Sequence, residues 1–299
     1  MCRAERWRWL VLLVGALLSA SAHPYESQVH QRLTFYAAKE LNRCLEGSDV
    51  ALLTPLQVRF IATSNMGLAN SNALVRFFRW SYFDIADRED RKLLWLINTR
   101  FLNHFEDVAE EVRTTADETE RYRELGRIVS YVQLVSSPSR AVPVYTARFW
   151  RWSFGDRFDG HPVGEQALEA ALGRDCSFLA EPPENYRAIL YEVAQDTVEA
   201  VRSPIGGLPT TWESFWQAGR EPGDFGDYGP AGNSFGRRVE FPCNPDGDEL
   251  CVLLEDDPLY AEFALARRLA AIRGTARAMY LHQVRHAEPP VAGSVAEFR

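Results

Sequence analysis

The 299-residue chain has little that would tie it to a membrane core or a nucleic-acid backbone. Its early apolar run, Leu10 to Leu18, falls well short of the roughly 20 residues that a helix needs to cross a bilayer. Lysine is nearly absent, at Lys39 and Lys92 alone, and the formal charge is -8. An acidic balance argues against nucleic acid as a partner, because that binding depends on summed cationic neutralisation of phosphates. There is no phosphate-cradling P-loop and no H-E-x-x-H helix. A nucleotide-phosphate loop and a zincin helix are therefore excluded. Alternating apolar and polar runs are scarce, which leaves little material for half-buried strands.

What is present begins with an export signal. Arg3, Arg6 and Arg8 precede the apolar run and Ala20-Ser21-Ala22 follows it as an A-x-A cleavage site. Residues 1–22 read as a secretory signal peptide, and residues 23–299 as a single domain of a protein exported to the periplasm or secreted. Removing the signal's net +2 takes the formal charge from -8 to -10. Four cysteines then remain, and an even count in an oxidising compartment favours disulfide bonds over thiols. Cys243 and Cys251 flank the turn-rich NPDGDEL and suit a local clasp, which leaves Cys44 with Cys176. Four unpaired buried thiols are the alternative.

Most of the chain has helical periodicity. Val29, Leu33, Tyr36, Ala37, Leu41 and Cys44 recur at spacings of three and four, an amphipathic stripe. Similar patterns run over Leu56–Leu68, Leu93–Val112, Thr119–Val135 and Asn185–Val201. A long last helix is expected over Pro258–His286, opened by Asp256-Asp257-Pro258. The fold class expected is all-α. One stretch breaks it: Gly219–Leu250 holds seven glycines and four prolines, too many for a regular helix. An ordered excursion over the helical body, held at its end by the Cys243–Cys251 clasp, is the expectation.

Leu125 to Pro143, LGRIVSYVQLVSSPSRAVP, carries the most information. It resembles the helix-plus-turn signature of the zinc-dependent phospholipase C family and its single-strand nuclease relatives, roughly LGxxxHxxxDxxxPxH. Residues four apart share a helix face and can grip one metal. Here the Leu-Gly-Arg opening and Pro138 are kept, but Ser130, Leu134 and Arg140 stand at the three ligand positions. A hydroxyl is a poor zinc donor, leucine offers none, and a guanidinium repels a cation. Arg140 could instead face an anion such as phosphate, or pair with a nearby acid.

The resemblance implies an all-α phospholipase C-like helical bundle that hydrolyses phosphate esters. It also implies metal ligands elsewhere: His23 at the cleaved terminus, His30 on the first helix, Asp90, and His104 in RFLNHFED. Their bland readings are a solvated terminus and packed or surface histidines. His161 and Glu165, four apart, match a further family spacing weakly, and Asp156 and Asp159 offer an alternative placement. Both His161 and Glu165 are expected to be structural. His282 and His286 on the last helix are expected to be exposed near its C-terminus. Phe149, Trp150, Trp152 and Phe154 among Arg148, Arg151 and Arg157 read as core aromatics with solvated arginine heads rather than a base-stacking or lipid-facing patch.

Two functions follow as expectations. One is a pseudoenzyme that has lost or altered the trinuclear zinc phosphoesterase activity, needs no cofactor, and binds an anionic ligand or a protein partner. The other is an active phosphodiester hydrolase with a reduced site of one zinc ion, acting on a phospholipid or other phosphate ester.

Overall fold

A computed structural model describes residues 24–69, 82–83, 92–93, 97–98, 101–144, 155–173, 175–220, 224–244 and 248–286. Among these the element order is α1 (Pro24–Leu45), α2 (Pro55–Ala69), β1 (Lys92–Leu93), β2 (Ile97–Asn98), α3 (Phe101–Thr114), α4 (Glu118–Leu134) and α5 (Pro138–Ala141). There follow α6 (Glu165–Leu172), α7 (Tyr186–Arg202), β3 (Trp216–Gln217), β4 (Asp227–Tyr228), β5 (Val239–Pro242), β6 (Leu250–Leu253) and α8 (Pro258–His286). The body is predominantly helical, as the periodicity predicts. It is not purely so, because three two-stranded antiparallel sheets accompany the helices among the described residues.

The departures sit where periodicity is least informative. The helix expected from Leu93 begins at Phe101, with β1 and β2 paired upstream of it. The glycine- and proline-rich excursion contributes β4 and β5 to two small hairpins. Two-residue strands leave no alternation for a sequence pattern to reveal.

Helix α4 is central. Asp117 caps it by accepting a hydrogen bond from the Glu120 N–H. Leu125, Gly126, Ile128, Val129, Ser130, Tyr131, Val132 and Gln133 are all buried, so the second half of the helix is enclosed on most sides rather than along one stripe. It packs closely on α2 at Gly126, where a Cβ would overlap the Ile61 carbonyl oxygen and approach Ser64 Cβ to 2.8 Å. That contact is a physical reason for the glycine in the Leu-Gly-Arg opening.

Two apolar cores result among the described residues. The larger joins α1–α4, α6, α7 and the second half of α8. The second is aromatic, with Phe158, Trp212, Phe215, Trp216, Phe235, Phe241, Tyr260 and Phe263 under the described part of the excursion. Helix α8 serves both cores, with Phe263 and Ala264 in one and Ala271 to Leu281 in the other. Its start is capped by Asp257, whose carboxylate accepts from the Leu259 N–H at 3.1 Å. The disulfides are Cys44–Cys176, which ties the end of α1 to the segment before α7, and Cys243–Cys251 across the β5–β6 hairpin. No helix among the described residues is long and apolar enough to cross a membrane.

Candidate functional site

The sequence motif leads to the C-terminal half of α4, and a polar cluster lies there, held by four helices. Gln133 on α4 is 2 % exposed. Its Oε1 lies 2.7 Å from His30 Nδ1 on α1 and accepts from Asn65 Nδ2 on α2 at 3.0 Å. Because Oε1 can only accept, the His30 proton sits on Nδ1. Gln133 Nε2 donates to Thr34 Oγ1 and to Thr275 Oγ1 on α8, each at 3.2 Å. Asn65 Nδ2 also donates to Thr34 Oγ1 at 2.8 Å, and the Thr34 hydroxyl donates to the His30 carbonyl at 2.9 Å.

Thr34, Asn65 and Thr275 are fully buried, so every bond in the cluster replaces one that water would have made. Two polar atoms in this region have no partner among the described residues: Asn65 Oδ1 and Ser130 Oγ. A buried polar atom left unsatisfied costs on the order of 1–3 kcal/mol. The cluster is therefore a place where the fold tolerates cost.

Zinc takes thiolate, imidazole or carboxylate in preference to neutral amides and alcohols. Around His30 the structure places two carboxamides and two hydroxyls, and among the described residues no three His, Cys, Asp or Glu side chains gather as a metal group. These four neutral groups are poor zinc donors. His23 and Asp90 lie outside the described residues. His104 lies on α3, half-buried, beside the fully buried Phe105.

Ser130 is 1 % exposed and sits in the packed interior of α4, whereas Leu134, at the helix end, is half-buried. Arg140 follows on the short helix α5 and is 7 % exposed, its guanidinium carbon 5.0 Å from the Tyr82 ring centroid. A cation over an aromatic face is electrostatically favourable, more so where water is excluded. The Arg140 carbonyl also accepts from the Phe83 N–H at 2.9 Å, so this turn anchors residues 82–83.

A second polar cluster adjoins it. Ser137 Oγ donates to Asp159 Oδ1 at 2.6 Å. Asp156 is buried, and its Oδ2 accepts from Trp216 Nε1 at 2.7 Å and from the Tyr228 hydroxyl at 3.0 Å. Its Oδ1 accepts from the Phe158 N–H at 2.8 Å. Burial first, and then the Asp159 charge, push the Asp156 carboxyl up to about 6 against those three hydrogen bonds. Burial and the Asp156 carboxylate raise the Tyr228 hydroxyl further above its ordinary value. Arg268 closes the group by donating to the Asp159 carbonyl at 3.1 Å. The arrangement ties the 155–161 turn to the β3–β4 hairpin, which gives Asp156 a structural role.

The His161 ring packs edge-on against Phe235 and the His161 backbone N–H donates to the Phe158 carbonyl, while Glu165 pairs with Arg32 at 2.6 Å on the surface. His282 is a correction. It is 1 % exposed, lies 3.4 Å from the Tyr186 hydroxyl and packs on Tyr122, because α8 runs through the core to its last turn. Burial, followed by the His286 and Arg121 charges, pushes the His282 imidazole down to about 3. Of the aromatic and basic group around Trp150 only Arg157 is among the described residues, and it is exposed.

Sequence reasoning missed Gln133, Asn65, Thr34 and Thr275. Gln133 directly precedes Leu134, and a carboxamide inside an otherwise apolar stretch was the available signal. Comparison with protein-family models, curated proteins and solved structures found no match.

Proposed function

We propose that this is an exported protein that resembles the zinc phospholipase C and nuclease family in its helical body but has lost or altered the trinuclear zinc phosphoesterase activity. It acts as a pseudoenzyme that binds an anionic ligand, such as a phospholipid or other phosphate ester, or a protein partner. One observation carries this reading: the buried network of Gln133, His30, Asn65, Thr34 and Thr275 fills the motif-bearing helix's surroundings with neutral donors and acceptors. The two disulfides support export, since such bonds persist in oxidising compartments.

A second reading has an observation of its own. Gln133 holds His30 by Nδ1, and metal-binding histidines are commonly oriented by a partner on the other ring nitrogen. An active phosphodiester hydrolase using one zinc ion held by His23, His30, Asp90 and His104 accommodates that geometry.

Elemental analysis of the signal-cleaved protein separates the two readings, run beside hydrolysis assays on lecithin, an aryl phosphodiester and single-stranded DNA. Less than stoichiometric zinc and no turnover above the uncatalysed rate are expected. One or more zinc ions per chain, with turnover abolished by a chelator, would overturn the pseudoenzyme reading in favour of the reduced site.

A further inference from the structure

The β5–β6 hairpin carries an edge that is left open among the described residues. Its register sets Glu240 opposite Val252 and Pro242 opposite Leu250, and the Cys243–Cys251 disulfide closes it. Phe241, Cys251 and Leu253 are buried, so alternate residues face out. Leu250 is 57 % exposed, Val252 42 % and Leu254 58 %. The Cys243 N–H donates to the Glu249 carbonyl at 3.0 Å, which sets the phase of the ladder. Phe241–Cys251 and Val239–Leu253 are then the hydrogen-bonded pairs, and Glu240–Val252 and Pro242–Leu250 are not. Residues of the second kind turn N–H and C=O away from the partner strand. Leu250 and Val252 thus offer apolar side chains and backbone groups to the outside together.

The hairpin's two edges differ. The outward positions of β5 hold Glu240 and Pro242, a charge and a residue without an N–H, both devices that keep an edge from pairing. The outward positions on and just after β6 hold three aliphatics and neither device. A contiguous exposed apolar stripe of this kind marks an interaction site. Acids bracket it: Asp248 and Glu249 before, Glu255 and Asp256 after, all exposed. Of these four, only Glu255 is in an ion pair among the described residues, with Arg237 at 3.2 Å.

That charge pattern selects the occupant. A second copy added antiparallel about Val252 would set Asp248 and Glu249 against Glu255 and Asp256, and like charges opposed across strands destabilise the pair. An anionic lipid surface meets the same repulsion. We propose that the outer edge of β6 takes up, by strand addition, an extended segment of a partner protein that is apolar at its centre and flanked by lysine or arginine. The site rests on the hairpin alone and stands whichever reading of the helical body holds.

The test uses the signal-cleaved chain and a fluorescent peptide with two lysines on each side of a valine-threonine-valine centre. Anisotropy is expected to show saturable binding of this peptide and none of a twin carrying glutamates in place of the lysines. Val252→Pro removes an N–H that the hairpin ladder does not use, so affinity is expected to fall about tenfold or more while the hairpin persists. L250S/L254S, which leaves every backbone donor in place, is expected to give a comparable loss and keeps the test decisive should the proline variant fail to fold. Four outcomes would each overturn the proposal. These are equal binding of the two peptides, affinity that L250S/L254S leaves intact, no binding at millimolar peptide, or a micromolar dimer of the chain formed through this edge.

Discussion

At the scale of single residues, two buried titratable groups act on stability with opposite signs. Asp156 is raised to about 6 by burial and the Asp159 charge, so the folded chain keeps a proton that the unfolded chain releases near its ordinary pH 4. The stability it supports is full below about pH 4 and is lost as pH rises through 6. His282 is pushed down to about 3 by burial and the neighbouring cationic groups, so its contribution is full above about pH 6.5 and is lost as pH falls toward 3. Urea midpoints at pH 4.5 and pH 7 should therefore respond oppositely. Relative to the parent, Asp156→Asn should lose less stability on going up to pH 7, and His282→Gln should lose less on going down to pH 4.5. Midpoints that keep the parent's pH slope in both variants would refute these assignments. Gln133 gives a third residue-level expectation. Gln133→Leu strips partners from His30, Asn65, Thr34 and Thr275 at once and should cost about 2–4 kcal/mol in urea unfolding.

At the scale of elements, helices were legible and short strands were not. The long last helix is legible in the sequence because a proline after two aspartates marks its start, and the structure places it at Pro258–His286. Helices α2, α4 and α7 fall within a residue or so of the expected ranges, since each carries a sustained apolar spacing. The β5–β6 hairpin hid inside a stretch that reads as loop, because its glycines and prolines dominate the composition. Its disulfide closes only a short loop, with a sequence separation of 8. Replacing Cys243 and Cys251 by serine should therefore cost only about 2–3 kcal/mol, by the loop-entropy relation. Circular dichroism should show the helical content unchanged.

At the scale of the whole molecule, Cys44–Cys176 spans 132 residues and fastens the end of α1 to the chain before α7. Its loss should cost about 4–5 kcal/mol, roughly twice the cost of the hairpin bond, because a longer loop gains more freedom when opened. Comparable midpoints for the two serine pairs in urea would contradict that ordering. By itself the sequence determined the helical class, most helix ranges and the cysteine pairing, because each is written in local spacing or in residue identity. Only the tertiary structure decided that Gln133 meets His30, Asn65 and Thr275 across four helices, that His282 is interior, and that β6 presents an open apolar edge. Those facts depend on which faces of distant segments come together. Contacts across 142 residues, such as Gln133 with Thr275, leave no periodic trace in the chain.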